Sequence, residues 1–436
     1  MQIHFGHSKF PDDRTKKPIE ITWRSRSAVN GVVAIAGGSG AGKTHTIRSF
    51  VAQAQQSSQR ARFIVPDVHG DITLPGMSSV VFSESTNYGL NPLRIVDDKD
   101  WGGVRRRIRE FTRLLNSTSR KLGPKQEACL TNIMEDMYRQ CGFYRDDART
   151  WSLDFDPRNN ARQPKRQPTL STLKWFCDFK LKQMTIGTNA VAVQKLNQLE
   201  KIHQRLEREH LKGMKGDLVD LKPLQEECIK LFAEYINSIE TGRELDDVLR
   251  YSSKEVMKSV QERISNLAES GIFRDEEPPF DPRSSVWRYD ISTRDGDEKV
   301  MFVHTLLEDL FFRCRRRGLT DEIDTFFVLD EAHLFMSEED SNPINLVARE
   351  ARKFGLGMIL ASQSFDDYPD PILTNAGCTV VLSVHEKFHK SMAAKLGIEQ
   401  KRLTYIQPRR SGLIQVRTSD GSMPQRFVDV MLPQAA

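Results

Sequence analysis

Val32-Val33-Ala34-Ile35-Ala36-Gly37-Gly38-Ser39-Gly40-Ala41-Gly42-Lys43-Thr44 decides how this chain folds. Five apolar residues without alternation suit a strand buried on both faces of a parallel sheet. The next eight match G-x-x-x-x-G-K-[ST], a phosphate-binding loop set between a strand and a helix, the latter running from about 46 to 56. Glycines let the backbone fold tightly, so that its N–H groups converge on an anion. Lys43 would reach the β- and γ-phosphates, Thr44 would hold Mg²⁺, and the helix offers its positive N-terminus. Gly37, Gly38, Ser39, Gly40, Ala41, Gly42, Lys43, Thr44 and Thr46 are therefore the candidate nucleotide-binding residues. A glycine-rich turn would meet the four fixed positions by accident in about one chain in a hundred of this length.

The 436-residue sequence as a whole sets the bounds. It is 38% hydrophobic and 28% charged, enough for two or three modest domains or one core with a large insertion. Its 64 basic and 59 acidic residues leave a net charge of +5, too even to announce nucleic acid without help from local clusters. No stretch approaches the ~18 apolar residues of a membrane span. The start, Met1-Gln2-Ile3-His4-Phe5-Gly6-His7, lacks a signal-peptide apolar core, so a cytoplasmic location is expected. Cys129, Cys141, Cys177, Cys228, Cys314 and Cys378 show no C-x-x-C spacing and indicate neither zinc nor disulfides.

Outward from the loop, short apolar segments at 20–23, 62–65, 80–82, 286–291, 300–303, 325–329, 357–361 and 378–382 are candidate strands. Between them the pattern turns helical and charged: helices are expected at 104–115, 125–138, 170–184, 190–212, 221–250 and 253–270, with an exposed loop at 148–169 and a further helix at 304–317. The expectation is an α/β core with a mainly parallel sheet, contributed by residues 1–100 and 286–436. An all-α insertion, residues 101–285, interrupts it.

Thr325-Phe326-Phe327-Val328-Leu329-Asp330-Glu331-Ala332-His333 carries the second chemical signal. A buried strand would present Asp330 at its edge as a Mg²⁺ ligand, with Glu331 beside it to polarise a water. His333 is open between helix capping or packing and a sensing role. Downstream, Ala361-Ser362-Gln363 ends another buried strand, where the Gln363 amide could contact a γ-phosphate or orient water. Arg349 and Arg352 precede that strand and either solvate a helix or act as an arginine finger across a subunit boundary.

Together the loop, Asp67-Val68-His69-Gly70-Asp71, the Asp330-Glu331-Ala332-His333 strand end and the Arg352-to-Gln363 segment resemble the HerA/FtsK superfamily. The resemblance spans roughly residues 20–100 and 286–430. It implies a RecA-like P-loop NTPase core, a hexameric ring with ATP and Mg²⁺ between subunits, and DNA in a central pore. It also implies catalytic roles for Lys43, Glu331, Gln363 and Arg352, and metal roles for Thr44 and Asp330. No N-terminal barrel, C-terminal winged helix or N-terminal membrane helices are expected beside the core, while the helical insertion resembles that of coupling and secretion ATPases.

Two motor functions follow from the resemblance. One is translocation of double-stranded DNA, with a nuclease or other effector as partner. The other is a conjugation or type IV secretion ATPase docking on a membrane apparatus. A small-molecule kinase is opposed by Asp330-Glu331 and Gln363. Basic runs at Arg105-Arg106-Arg107-Ile108-Arg109, Arg313-Cys314-Arg315-Arg316-Arg317 and Arg409-Arg410 could grip phosphates or solvate helix faces.

Overall fold

A computed structural model describes residues 1–11, 16–158, 164–186, 190–213, 221–238 and 250–433. The chain begins with β1 (Gln2–Pro11), β2 (Pro18–Arg24) and β3 (Val32–Ala36), then α1 (Lys43–Ser57), β4 (Arg62–Asp67) and β5 (Met77–Val81). A helical stretch follows: α2 (Val104–Asn116), α3 (Pro124–Gln140), α4 (Leu170–Ile186), α5 (Ala190–Gly213), α6 (Lys222–Asn237) and α7 (Lys254–Glu269). The α/β pattern then resumes with β6 (Val286–Asp290), α8 (Gly296–Arg317), β7 (Thr325–Leu329), α9 (Pro343–Glu350) and β8 (Leu356–Ser362). The chain finishes through α10 (Asp370–Asn375), β9 (Ala376–Val381), α11 (His389–Leu396), α12 (Gln400–Thr404), β10 (Ser411–Val416) and β11 (Val428–Met431).

All eleven strands join one sheet in the order β2-β1-β11-β10-β9-β3-β8-β7-β4-β6-β5. From β9 to β5 every neighbouring pair is parallel, whereas β10, β11, β1 and β2 extend the sheet antiparallel. The central strands β3, β7, β8 and β9 are buried along their whole length, as their unbroken apolar sequences require. Parallel strands point their C-terminal ends to one edge, where a crevice forms between loops. The loops after β3, β4, β7 and β8 all leave from that edge, which is what gathers the candidate site.

Helix α1 shows why this end is rigid. Ile47, Phe50, Val51 and Ala54 follow helical spacing and are buried against the sheet. Phe50 meets Trp23 at 5.5 Å and Phe326 at 5.3 Å, and Phe63 stacks on Phe326 at 5.3 Å between ring centroids. Each large side chain so buried contributes about 1.5–3 kcal/mol. The helix that carries Lys43 and Thr44 is thereby fixed to the strand before Asp330.

The chain divides into two compact units. One contains Met1–Leu90, Ser117–Ser119 and Glu276–Ala436; the other contains Asn91–Asn116 and Arg120–Asp275. In the helical unit α5 packs on α6, α4 on α7 and α2 on α3. Its core includes Cys129, Leu130, Ile133, Met134 and Met137 from one face of α3.

Several local expectations change. Residues 300–303 are not a strand but lie inside α8, which begins eight residues before the expected 304. Asp295 caps that helix by accepting from the Glu298 N–H at 2.8 Å, and Asp297 and Glu298 fill an acidic first turn. The buried Met301, Phe302 and Val303 are its core face. Strands β1, β10 and β11 are not among the expected segments. The helix expected over 221–250 is α6 up to Asn237, and 239–249 lie outside the described residues. Within the expected loop 148–169 there is a short 3₁₀ turn at Ala148–Trp151, and 159–163 lie outside the described residues. All six cysteines are free. Among the described residues no helix is long and apolar enough to cross a membrane.

Candidate functional site

The loop between β3 and α1 is held open from beneath. The Gly37 N–H donates to Ser362 O at 3.1 Å and the Gly38 N–H to Ser383 O at 2.8 Å, tying the loop to the ends of β8 and β9. Gly42 sits at φ 111, where an L side chain would be strained, so the turn into α1 needs glycine. At Gly37 an added Cβ would stand 2.9 Å from the Leu382 side chain, so the floor tolerates no larger residue. Lys43 is buried and its Nζ donates to Gly37 O at 3.0 Å, which folds the ammonium back over the loop.

Two carboxylates converge on this loop from the end of β7. Thr44 Oγ1 donates to Asp330 Oδ2 at 3.1 Å, and Lys43 Nζ lies 3.9 Å from Glu331 Oε1. Asp330 Oδ1 is buried without a hydrogen-bond partner. Burial pushes the Asp330 carboxyl above its ordinary range; Lys43 and the Thr44 hydroxyl pull it down, while Glu331 and Asp71 push it further up. Glu331 itself occupies the left-handed region at φ 67, a conformation that costs a non-glycine residue about 1 kcal/mol or more. That turn throws its carboxylate back toward Lys43.

These residues fit Mg²⁺. The Thr44 hydroxyl and the orphaned Asp330 oxygen are hard oxygen donors beside a phosphate loop. Among the described residues no group of three or more His, Cys, Asp or Glu could hold a metal. Two protein oxygens suit an ion that takes its other ligands from water and phosphate.

His333 has a part that the sequence left open. Its Nδ1 lies 3.3 Å from Glu331 Oε2 and 3.4 Å from Ser362 Oγ, and Ser362 gives its own proton to Asp367 at 2.6 Å. An Nδ1–H tautomer would supply both oxygens with the donor they lack. Gln363 directly follows β8, whose Ser362 pairs with Ala36, so it stands exposed beside Gly37 and between the loop and the β7 carboxylates.

Other expected residues lie elsewhere. Thr46 turns its hydroxyl onto Gly42 O at 3.0 Å inside α1, away from the loop centre. Arg352 precedes β8 and therefore sits at the opposite edge of the sheet from its own phosphate loop. Its Nε donates to Ala28 O at 2.8 Å and its Nη2 to Arg26 O at 3.1 Å. Arg349 pairs with Asp340. Asp67, 1% exposed, is committed to structure: it accepts from the His69, Gly70 and Ile72 N–H groups and from Arg288 Nε at 2.7 Å. Arg409, placed by sequence in a basic run, instead touches the phosphate loop: its N–H donates to Ala41 O at 3.2 Å and its Nε to Gly40 O at 3.3 Å.

No protein-family model matches the chain. A protein named as a probable helicase of Methanocaldococcus jannaschii is 25% identical over 204 residues, covering 41% of this chain. The chain spans 39% of the length of that relative. Among solved structures, VirB4 of Thermoanaerobacter pseudethanolicus matches 99% of this chain and 96% of its own, with a TM-score of 0.62 at 14% identity. The plasmid coupling protein TrwB, in complex with the non-hydrolysable ATP analogue ADPNP, matches 94% of this chain and 86% of its own, with a TM-score of 0.51 at 12% identity. The fold is thus that of VirB4 and TrwB, with a RecA-like P-loop core, and the likeness extends over nearly the whole chain.

Proposed function

We infer that this chain is a P-loop ATPase acting as a motor of the conjugation and secretion kind. One observation carries this: Thr44, Asp330, Lys43 and Glu331 meet at one crevice, although they come from opposite halves of the sequence. Binding alone needs the loop; a carboxylate facing it adds the means to hydrolyse.

The division of labour follows from the geometry. The loop N–H groups and Lys43 would bind and neutralise the β- and γ-phosphates. Thr44 and Asp330 would hold Mg²⁺, whose chemistry is to neutralise charge between those phosphates. Glu331 accepts the proton of an attacking water, and His333 orients Glu331 through its Nδ1. Gln363 is placed to orient that water or the γ-phosphate. Arg352 precedes β8 at the edge of the sheet away from its own loop, so a role in hydrolysis would be toward a neighbouring subunit. Its Nη1 makes no hydrogen bond among the described residues.

The load and the assembly rest on similarity. A hexameric ring passing double-stranded DNA through its pore follows from the HerA/FtsK resemblance and agrees with the helicase-named relative. The likeness to VirB4 along 99% of the chain favours a second version, in which the motor docks on a conjugation or type IV secretion apparatus. Steady-state ATPase rates with and without duplex DNA, together with a native mass, test the motor. A DNA-stimulated hexamer is expected; a monomer indifferent to DNA would overturn it.

A further inference from the structure

The turn Pro408-Arg409-Arg410, between α12 and β10, forms one wall of a pocket of about 640 Å³. Its other walls include Lys43, Thr44 and Arg48. No carboxylate is among its lining residues, and Lys43, Arg48, Arg409 and Arg410 suit it to an anion.

Arg409 is held there at a cost. It is one of four described non-glycine residues with positive φ, at 61, and another of the four is Glu331. Strain of this kind persists where surroundings over-determine it, and it gathers at ligand clamps. The surroundings here are the Ala41 and Gly40 carbonyls, which accept from the Arg409 N–H and Nε. A Cβ built on Gly42 would lie 3.5 Å from Arg409 Cγ, so the side chain runs along the outside of the loop. Turning these two carbonyls outward leaves the loop N–H groups facing in. Arg48 is steadied by its Nε donating to Thr73 O at 3.1 Å. The Arg410 side chain makes no hydrogen bond or ion pair among the described residues, and it lines the same pocket as Lys43 and Arg48.

Sheet order gives the pocket its direction. The central sequence of strands is β10-β9-β3-β8-β7, so Asp330, Glu331 and Gln363 stand on one flank of the loop strand β3 and the Arg409 turn on the other. A nucleotide with its γ-phosphate beside Glu331 extends its nucleoside end toward β9 and β10. We propose that Arg409 and Arg410 form a subsite for the α-phosphate end of a nucleoside triphosphate. This rests on the ATPase reading above.

Substitution at Arg409 separates the charge from the fold. Arg409→Gly suits the left-handed backbone, keeps the N–H bond to Ala41 and removes the side chain with its Nε bond to Gly40 O. Its melting temperature should stay close to that of the parent, the relieved strain offsetting the lost bond to Gly40 O. Binding of ATP and of pyrophosphate is measured by calorimetry on the parent, Arg409→Gly, Arg410→Ala and Lys43→Ala chains. Arg409→Gly and Arg410→Ala should each weaken ATP about tenfold, the scale of one charge-assisted hydrogen bond, and leave pyrophosphate within about twofold. Lys43→Ala should weaken both ligands. Unchanged ATP affinity in both arginine variants would overturn the proposal, as would equal losses of ATP and pyrophosphate. A parent chain that binds neither ligand would remove the nucleotide reading itself, and the subsite with it.

Discussion

Thr44 Oγ1 donates to Asp330 Oδ2 at 3.1 Å, joining residues 286 positions apart in the chain. The contact exists because β7 pairs directly with β8, which in turn borders β3. It brings a hydroxyl and a carboxylate to one point, and the first prediction tests what they hold there.

Asp330→Ala should leave ATP binding in EDTA nearly unchanged but abolish the gain in affinity that Mg²⁺ gives the parent chain. Calorimetry with and without Mg²⁺ measures this. A variant that still gains affinity from Mg²⁺ would take Asp330 out of the metal site.

Lys43 folds over the loop onto Gly37 O and faces Glu331. Lys43→Ala should lower ATP turnover at least about 100-fold by removing the charge opposite the phosphates. Near-parental turnover would refute the loop assignment.

Glu331→Gln keeps the shape of the side chain and removes the base. Turnover should fall about 10²–10⁴-fold while ATP still binds. Trapping of labelled ATP on the variant is the direct readout; normal hydrolysis would give the proton-accepting role to another group.

Arg352→Ala should do two separable things. It deprives Ala28 O and Arg26 O of their donor, so the melting temperature should fall. If Arg352 also serves the neighbouring site, mixing Arg352→Ala with Glu331→Gln chains should restore part of the activity at mixed interfaces. Absence of rescue at every ratio would confine Arg352 to its structural contacts.

Glu298 supplies a pH test outside the phosphate site. Burial raises its carboxyl above the ordinary range, Asp295 adds to this, Arg294 opposes it, and Glu84 adds a smaller push. A raised folded-state value means that its stabilising effect is full below the unfolded value of about 4.3 and is lost as pH rises through the folded one. Glu298→Gln should therefore melt up to about 2 °C higher than the parent at pH 7, with the difference vanishing below about pH 4. A difference that grows on acidification would reverse the assigned sign.

How far the sequence reveals this arrangement depends on burial. β3, β7, β8 and β9 are read directly because strands covered on both faces must be apolar throughout. β1 is missed because it is a half-exposed strand, Gln2–Pro11, whose His, Ser and Lys residues give it no apolar run. Residues 300–303 mislead because four apolar residues satisfy a strand and a buried helix equally; the Asp295 cap with its acidic first turn was the available signal. Within the site, Lys43, Thr44, Asp330 and Glu331 are legible from motif spacing. His333 and Arg409 are not, since their roles come from Ser362 and from Gly40 and Ala41, distant partners that only the sheet brings near.

The pairing pattern also has a consequence for synthesis on the ribosome. β3 pairs only with β8 and β9, β4 with β6 and β7, and β5 with β6. The nascent chain thus emerges with three strands whose partners do not yet exist. Roughly 300 residues must follow at about 10 residues per second, so the phosphate-loop strand waits on the order of half a minute. During that interval it is an unpaired apolar edge of the kind that holdase chaperones shield, and the helical insertion is translated inside the wait.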